Sequence, residues 1–596
     1  MDERATPSGR PRESGDPYAA AQREDTEHGS LLAQGRRLIC VGFCFILILA
    51  VSPANAQSPA PHGMVVAQEA RAAEIGVDVL KRGGNAVDAA VATAFALAVT
   101  HPRAGNLGGG GYMLIHLAAR HEDVAIDYRE TAPGATTRDI FLGPDGKADP
   151  RKSRDSALGI GVPGTVAGLA LAHARFGSGK FRLADLIAPA ITLAREGFAI
   201  GEDAADTTPG EARRLARWPA SAKIFLKEDG RPLAAGDALV QSDLADTLEA
   251  IAQRGPRAFY EGAIADKLAA GVHAAGGIMT ADDLKNYRPL LHTPVRGNYR
   301  GYEIVSMPPS SSGGVVLIEM LNILEGFRLG ALGPDNPERL HLMAEAMQRA
   351  YADRATFLGD PATVTAPLMR LMSKRYAAEL RRTIDPNRAT PANDVRAGAA
   401  SGREGENTTH FSVADRFGNA VANTYTLNFS YGLGLVAEGT GVLLNNELDD
   451  FAAAPGAPNA YGLTGGDANA PGPGKRPLSS MTPTIVLQDS KPFLVTGTPG
   501  GSHIITAVLQ VISNVIDLKL PLSDAVGAPR IHDQWSPDEV LAERGFSPDL
   551  AHALESLGHR VRAIPPRTSA NSIEITPQGF VGVPDPRTPS AHAAGY

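Results

Sequence analysis

Asn407-Thr408-Thr409-His410-Phe411-Ser412-Val413-Ala414-Asp415 marks an abrupt change in the character of this chain. Upstream, residues 385–406 are polar and rich in Arg, Gly, Ala, Pro and Asn. Downstream come the strand-like runs His410–Ala414 and Ala420–Leu427, joined by the turn Asp415-Arg416-Phe417-Gly418-Asn419. β-Propensity alone explains a Thr-Thr pair at the head of a strand. An aperiodic loop running straight into that pair also suits a self-cleaving precursor. The Thr408 hydroxyl would attack the carbonyl of Asn407, the acyl group would shift from nitrogen to oxygen, and water would release the upstream segment. The new chain would open on Thr408, with a nucleophile and a free amine on one residue. An α-amino group has a pKa of roughly 7.7–8.0, so it can act as a general base near neutral pH.

Composition narrows the class. Of 596 residues, 43% are hydrophobic and 20% charged, as in soluble globular proteins. The formal net charge of -8 argues against nucleic acid as a partner. Residues 1–35 are polar and read as disordered. Arg36-Arg37 then precede the apolar run Leu38–Val51 and the small-residue site Ala54-Asn55-Ala56. That order reads as a secretory signal cleaved after Ala56, in a periplasmic or extracellular protein. The competing reading, a membrane anchor, needs a run of about 20 residues. Cys40 and Cys44 are the sole cysteines and lie inside the run. A mature chain would have none, which excludes disulfides, thiol catalysis and Cys-ligated zinc.

Along the chain, helical periodicity is read from Val65, over 67–82 and 86–99. Four glycines, Gly108 to Gly111, precede the strand Tyr112–Leu117. They lack the Lys-Ser/Thr of a phosphate loop and read as close backbone packing. A strand at Val124–Tyr128 leads into Arg129. Helices are expected at Thr165–Phe176, Leu183–Glu196, Ser242–Arg254, Phe259–Ala275, Val315–Gly326, Pro337–Ala355 and Met369–Arg382. Ser310-Ser311-Ser312 lacks a nucleophile-elbow pattern and reads as a helix N-cap. Beyond Thr408, strands are expected at Gly441–Asn445, Thr482–Leu487, Pro492–Gly497, Ser572–Thr576 and Phe580–Val583, with a helix at Ser502–Ile516. Blocks of helices beside blocks of strands imply an α+β fold of stacked layers.

An ordered set of motifs resembles the γ-glutamyltransferases (γ-glutamyltranspeptidases). It comprises His101-Pro102-Arg103-Ala104-Gly105-Asn106, Asp127-Tyr128-Arg129-Glu130, Thr408 through Asn428, Leu444 through Phe451, Lys475 through Met481 and Gly497 through Ser502. The resemblance covers nearly the whole chain after the leader. It implies the four-layer αββα sandwich of N-terminal-nucleophile hydrolases. It also implies autoprocessing into a large subunit, 57–407, and a small catalytic one, 408–596, interleaved as a heterodimer of one fold unit.

The same resemblance assigns roles. Thr408 is the nucleophile and Thr426 orients its hydroxyl. Gly500 and Gly501 supply oxyanion N–H groups at a helix start, although an ordinary glycine turn reads equally well. Arg129, Ser479 and Ser480 hold a substrate α-carboxylate. Asn428, Glu447 and Asp450 hold its α-ammonium; some relatives carry glutamine in place of Glu447, so the carboxylate should tighten that grip. Tyr461 belongs to a lid over the pocket within 455–473, a stretch too long for a simple connection. The implied activity is γ-glutamyl transfer and hydrolysis, from glutathione and related amides to water, amino acids or peptides. No metal or organic cofactor is called for, and no His-Glu-x-x-His motif occurs. After signal cleavage no stable membrane anchor is expected. Two alternatives stand beside this reading: a glutaryl-type β-lactam acylase of the same superfamily, and a non-catalytic secreted binding protein.

Overall fold

Strand pairing organises the molecule. The computed structural model describes residues 59–395, 408–454, 457 and 465–596. The leader and signal expectations, Asn407, Tyr461 and the rest of 455–456 and 458–464 in the lid loop lie outside the described residues. Thirteen strands form the two large sheets: β1 (Gly63–Ala67), β2 (Gly110–Leu117), β3 (Glu122–Asp127), β4 (Leu290–His292), β5 (Val295–Tyr299), β6 (Tyr302–Ser306), β7 (Thr409–Asp415), β8 (Ala420–Thr426), β9 (Thr484–Gln488), β10 (Lys491–Thr496), β11 (Ser572–Thr576), β12 (Gly579–Val583) and β13 (His592–Gly595). The first sheet runs β13-β1-β7-β8-β2-β3-β4 and the second β12-β11-β10-β9-β6-β5. Neighbouring strands in both are antiparallel. Each sheet mixes strands from before and after Thr408.

Side-chain alternation stacks the layers. Along β2, Tyr112 and Leu114 point to one side, with Met64 and Val66 of β1 and Ala420 and Ala422 of β8, and meet Ile485, Leu487 and Val495 of the second sheet. The intervening Met113, Ile115 and Leu117 point to the other side. There they pack under helices that include α1 (Ala70–Lys81), α2 (Ala86–Thr100), α3 (Thr165–Phe176), α4 (Leu183–Glu196) and α5 (Ser242–Arg254). The outer face of the second sheet, with Val486 and Leu494, packs under α6 (Gly313–Leu324), α7 (Pro337–Phe357) and α8 (His503–Ile516). Helices, sheet, sheet and helices make the four-layer αββα sandwich. Period-2 strands between amphipathic helices produce it, because each sheet has two apolar faces to cover.

Several expectations need correction. The helix read from Val65 is instead β1 followed by α1, whose first turn is capped by Glu69 accepting from Ala72 N at 3.2 Å. All five β1 residues are buried, so no alternation betrays the strand. The helix at 259–275 breaks at Gly262, φ 73°, into Arg257–Tyr260 and Ala263–Ala274. The one at 369–382 breaks where Ser373 caps a new helix by accepting from Tyr376 N at 3.1 Å. Of 441–445 only Val442–Leu443 is strand. Ser312 does not cap α6 with its side chain. It donates instead to Ser479 O at 2.7 Å, while Ser310 donates to Asp127 at 2.8 Å. The serine cluster therefore ties the segment around Ser479 to the sheets.

Candidate active site

Thr408 stands at the entrance to β7, and β8 lies beside β7 in register, Thr424 opposite His410. The parity that faces Ala414 and Ala420 to the second sheet also carries Thr408, His410, Ser412, Thr424 and Thr426. The Thr408 hydroxyl donates to Thr426 Oγ1 at 3.4 Å, and Asn428 N donates to the same oxygen at 2.9 Å. His410 is fully buried between Thr424 Oγ1, 2.8 Å away, and Ser412 Oγ, 3.1 Å away. Burial drives its pKa down to about 3, so the ring is neutral at pH 7.

The glycine run explains how Thr426 reaches its place. A Cβ on Gly109 would sit 2.0 Å from Thr426 O, and one on Gly111 would sit 2.4 Å from Tyr425 Cβ. Only glycine lets β2 and its approach lie this close to the end of β8. Asn106 completes the clamp: its Nδ2 donates to Thr426 O at 2.9 Å, and its Oδ1 accepts from Gly109 N at 2.9 Å.

Arg129 lies two residues past the end of β3 and is completely buried. Its Nε donates to Pro477 O at 3.2 Å, and its two Nη groups pair with Glu447 and Asp450. Burial opposes its charge, but Glu447 and Asp450 more than offset that and hold the pKa above the ordinary value. Burial likewise raises Glu447 and Asp450 above the usual carboxylate range, against the pull of Arg129. Behind them Glu130 is pushed by burial up to about 8. Neither Glu130 oxygen has a hydrogen-bond partner, nor do Glu447 Oε2 and Asn428 Oδ1.

Several of these groups line one pocket. Thr408, Thr426, Asn428 and Gly501 line it, and so do Arg129, Glu447, Asp450, Ser479 and Ser480. Gly500 precedes Gly501 outside the lining. Both glycines take positive φ, 131° and 57°, as the chain turns into α8, and a Cβ on Gly500 would meet Thr568 Cγ2 at 2.7 Å. Met481 and Ile504 form an apolar part of the wall that the sequence reading missed. Also missed was Arg354 on α7, which donates to Ser480 Oγ at 3.1 Å and to Ser312 Oγ at 2.9 Å. Among the described residues, the grouping with metal-ligand side chains lies elsewhere, at His341, Glu345 and His559.

Comparison with known proteins gives the family. The family model described as gamma-glutamyltranspeptidase matches residues 72–595. The chain is 49% identical over 538 residues to the glutathione hydrolase proenzyme of Escherichia coli K12, covering 90% of this chain and 92% of that one. It is 46% identical over 556 residues to the glutathione hydrolase proenzyme of Pseudomonas sp. strain A14, covering 91% and 96%. Among solved structures, cephalosporin acylase from Bacillus halodurans superimposes with a TM-score of 0.80 at 28% identity, over 93% of this chain and 99% of that one. The chain belongs to the gamma-glutamyltranspeptidase family.

Proposed function

We propose that this protein is a γ-glutamyltransferase and glutathione hydrolase made as a proenzyme, and that cleavage between Asn407 and Thr408 gives subunits 57–407 and 408–596. One observation carries the reading: a single pocket holds a nucleophile-type threonine and a set of groups suited to both charged ends of an amino acid. The guanidinium of Arg129 has five N–H donors. Pro477, Glu447 and Asp450 engage it through three of its nitrogens, so N–H groups remain for a substrate α-carboxylate, with Ser479 and Ser480 beside it. Asn428 Oδ1 and Glu447 Oε2 are buried acceptors in need of donors, and an α-ammonium supplies three. Asp450 adds charge. With the α-amino acid end clamped in this way, the side-chain amide is the carbonyl left for Thr408. That gives selectivity for γ- over α-linked glutamyl amides.

Release of Asn407 turns the Thr408 amide into an amine. The amine takes the hydroxyl proton as Oγ1 attacks the γ-carbonyl. The oxyanion is met by N–H groups at Gly500 and Gly501, and the C–N bond breaks as the proton passes to the leaving amine. Water or an acceptor amine then resolves the γ-glutamyl ester by the reverse sequence. Thr426 orients the nucleophile, and neutral His410 behind it adds no competing charge. Tyr461 and the loop around it serve as the lid, favouring glutathione-sized donors. The leader directs export, with the periplasm as destination. No described helix is long and apolar enough to cross a membrane.

The acylase likeness favours a second reading, a glutaryl-type acylase. Hydrolysis of γ-glutamyl-p-nitroanilide against the matching glutaryl anilide separates the two. The charged clamp predicts strong preference for the γ-glutamyl compound, because the glutaryl group lacks the ammonium. Equal rates would overturn the clamp.

A further inference from the structure

Away from the pocket, α7 presents His341 and Glu345 four residues apart on one face, and His559 of the C-terminal segment meets them there. His341 Nδ1 and His559 Nε2 are 2.8 Å apart, with ring centroids at 5.0 Å. The ligand atoms of all three residues lie within 4.8 Å of one another. His341 and Glu345 are buried and His559 is half-buried, which leaves a way in from solvent.

Hydrogen bonding settles which lone pairs are on offer. His341 Nε2 lies 2.8 Å from Asp385 O. A carbonyl only accepts, so Nε2 carries the hydrogen, and Nδ1 turns a lone pair toward His559. A metal-binding histidine commonly has this arrangement, one nitrogen donating to a carbonyl and the other bare. Glu345 Oε2 accepts from Arg349 and Thr390 Oγ1, at 2.6 Å each, and Oε1 accepts from Thr390 N at 2.8 Å. Oε1 therefore keeps a lone pair.

We propose that His341, Glu345 and His559 form a binding site for one divalent transition-metal ion of the zinc type, joining the segment before Thr408 to the segment after it. Two imidazoles and one carboxylate suit zinc, cobalt or nickel rather than magnesium or calcium. Arg349 offsets the charge of Glu345, which disfavours a hard, purely electrostatic ion. A tetrahedral zinc with Zn–N bonds of about 2.0–2.1 Å needs its nitrogens roughly 3.3 Å apart. The rings would part by about 0.5 Å to admit it. His559 loses the hydrogen on Nε2 to solvent and takes one on Nδ1, and water fills the fourth position.

The site would also pin the stretch 385–390. Asp385 accepts from His341, Ala389 N donates to Leu557 O at 2.7 Å, and Thr390 is held by Glu345. A bound ion would thus strap the end of one segment to the other, independently of the catalytic chemistry.

Untagged full-length protein, stripped with chelator, is titrated with Zn2+ by calorimetry and with Co2+ by visible absorption. One ion per chain is expected, with a tetrahedral Co2+ spectrum and a higher thermal midpoint. His559→Ala should weaken binding by about 100-fold or more, abolish the Co2+ bands and the midpoint shift, and leave γ-glutamyl hydrolysis intact. A wild-type protein that gives no tetrahedral Co2+ spectrum overturns the site, whether or not the variant folds. So does a His559→Ala protein that binds as tightly as wild type.

Discussion

Two sets of groups meet at the pocket, and they are differently built. Around Thr408 they are uncharged: the hydroxyls of Thr424, Thr426 and Ser412, and the neutral ring of His410. Around Arg129 one cation faces Glu447 and Asp450, with Glu130 behind. The difference teaches how labour divides in one small cavity. A nucleophile that relies on its own amine needs that amine's pKa near neutral. A fixed cation beside it would push the pKa down, and a fixed anion would push it up. Recognition of an α-amino acid needs charge of both signs. Asn428 links the sets, with its backbone on Thr426 and its side chain on Asn446 O at 2.9 Å.

Substitutions can break the contrast from either side. Thr408→Ala carries the largest effect: turnover should fall by about 10⁴-fold or more, read as loss of p-nitroaniline release, while the thermal midpoint barely moves. Arg129→Met should act on the fold as well as on substrate binding. It strands two buried carboxylates and should cost about 3–5 kcal/mol of stability, read by thermal or urea unfolding. If Arg129→Met unfolds no earlier than wild type, the charged set is not held together as described. Asp450→Asn keeps Glu447 on Arg129. It should raise the KM for the γ-glutamyl donor by about 30- to 100-fold through a weakened charged contact, about 2–3 kcal/mol, with little change in kcat.

A pH series bears on the charged side alone. Glu130 has its pKa raised in the folded protein, from 4.5 to about 8. The folded state therefore holds a proton that the unfolded state releases, and stability falls as pH rises from about 4.5 through about 8. One proton gives a slope of at most about 1.4 kcal/mol per pH unit. Glu130→Gln should flatten the decline between pH 5 and about 8, seen in midpoints measured across that range. An unchanged slope would place the titration elsewhere.

Much of this arrangement was legible in the chain. Motif order placed nine of the pocket-lining residues, because each belongs to a short stretch whose neighbours define it. What escaped notice depends on packing rather than on local pattern. Arg354 sits in the middle of α7 with nothing nearby to distinguish it from a surface arginine; only the approach of α7 to Ser312 and Ser480 gives it a role. Met481 and Ile504 look like any core residues. β1 was hidden because a strand covered on both faces loses its alternation. The serines at 310–312 suggested a cap, and the fold spends them on Asp127 and Ser479 instead. The pairing of Arg129 with Glu447 and Asp450 was also beyond reach. Sequence motifs sort residues by the ligand they greet, and not by what they hold to one another before it arrives.

Intact mass and N-terminal sequencing of the purified protein, beside Thr408→Ala, test the central claim most directly. The account predicts a fragment that begins at Thr408 in the active protein and an uncut, inactive variant. A wild-type chain that remains whole across the Asn407–Thr408 bond while turning over γ-glutamyl-p-nitroanilide at full rate would contradict it.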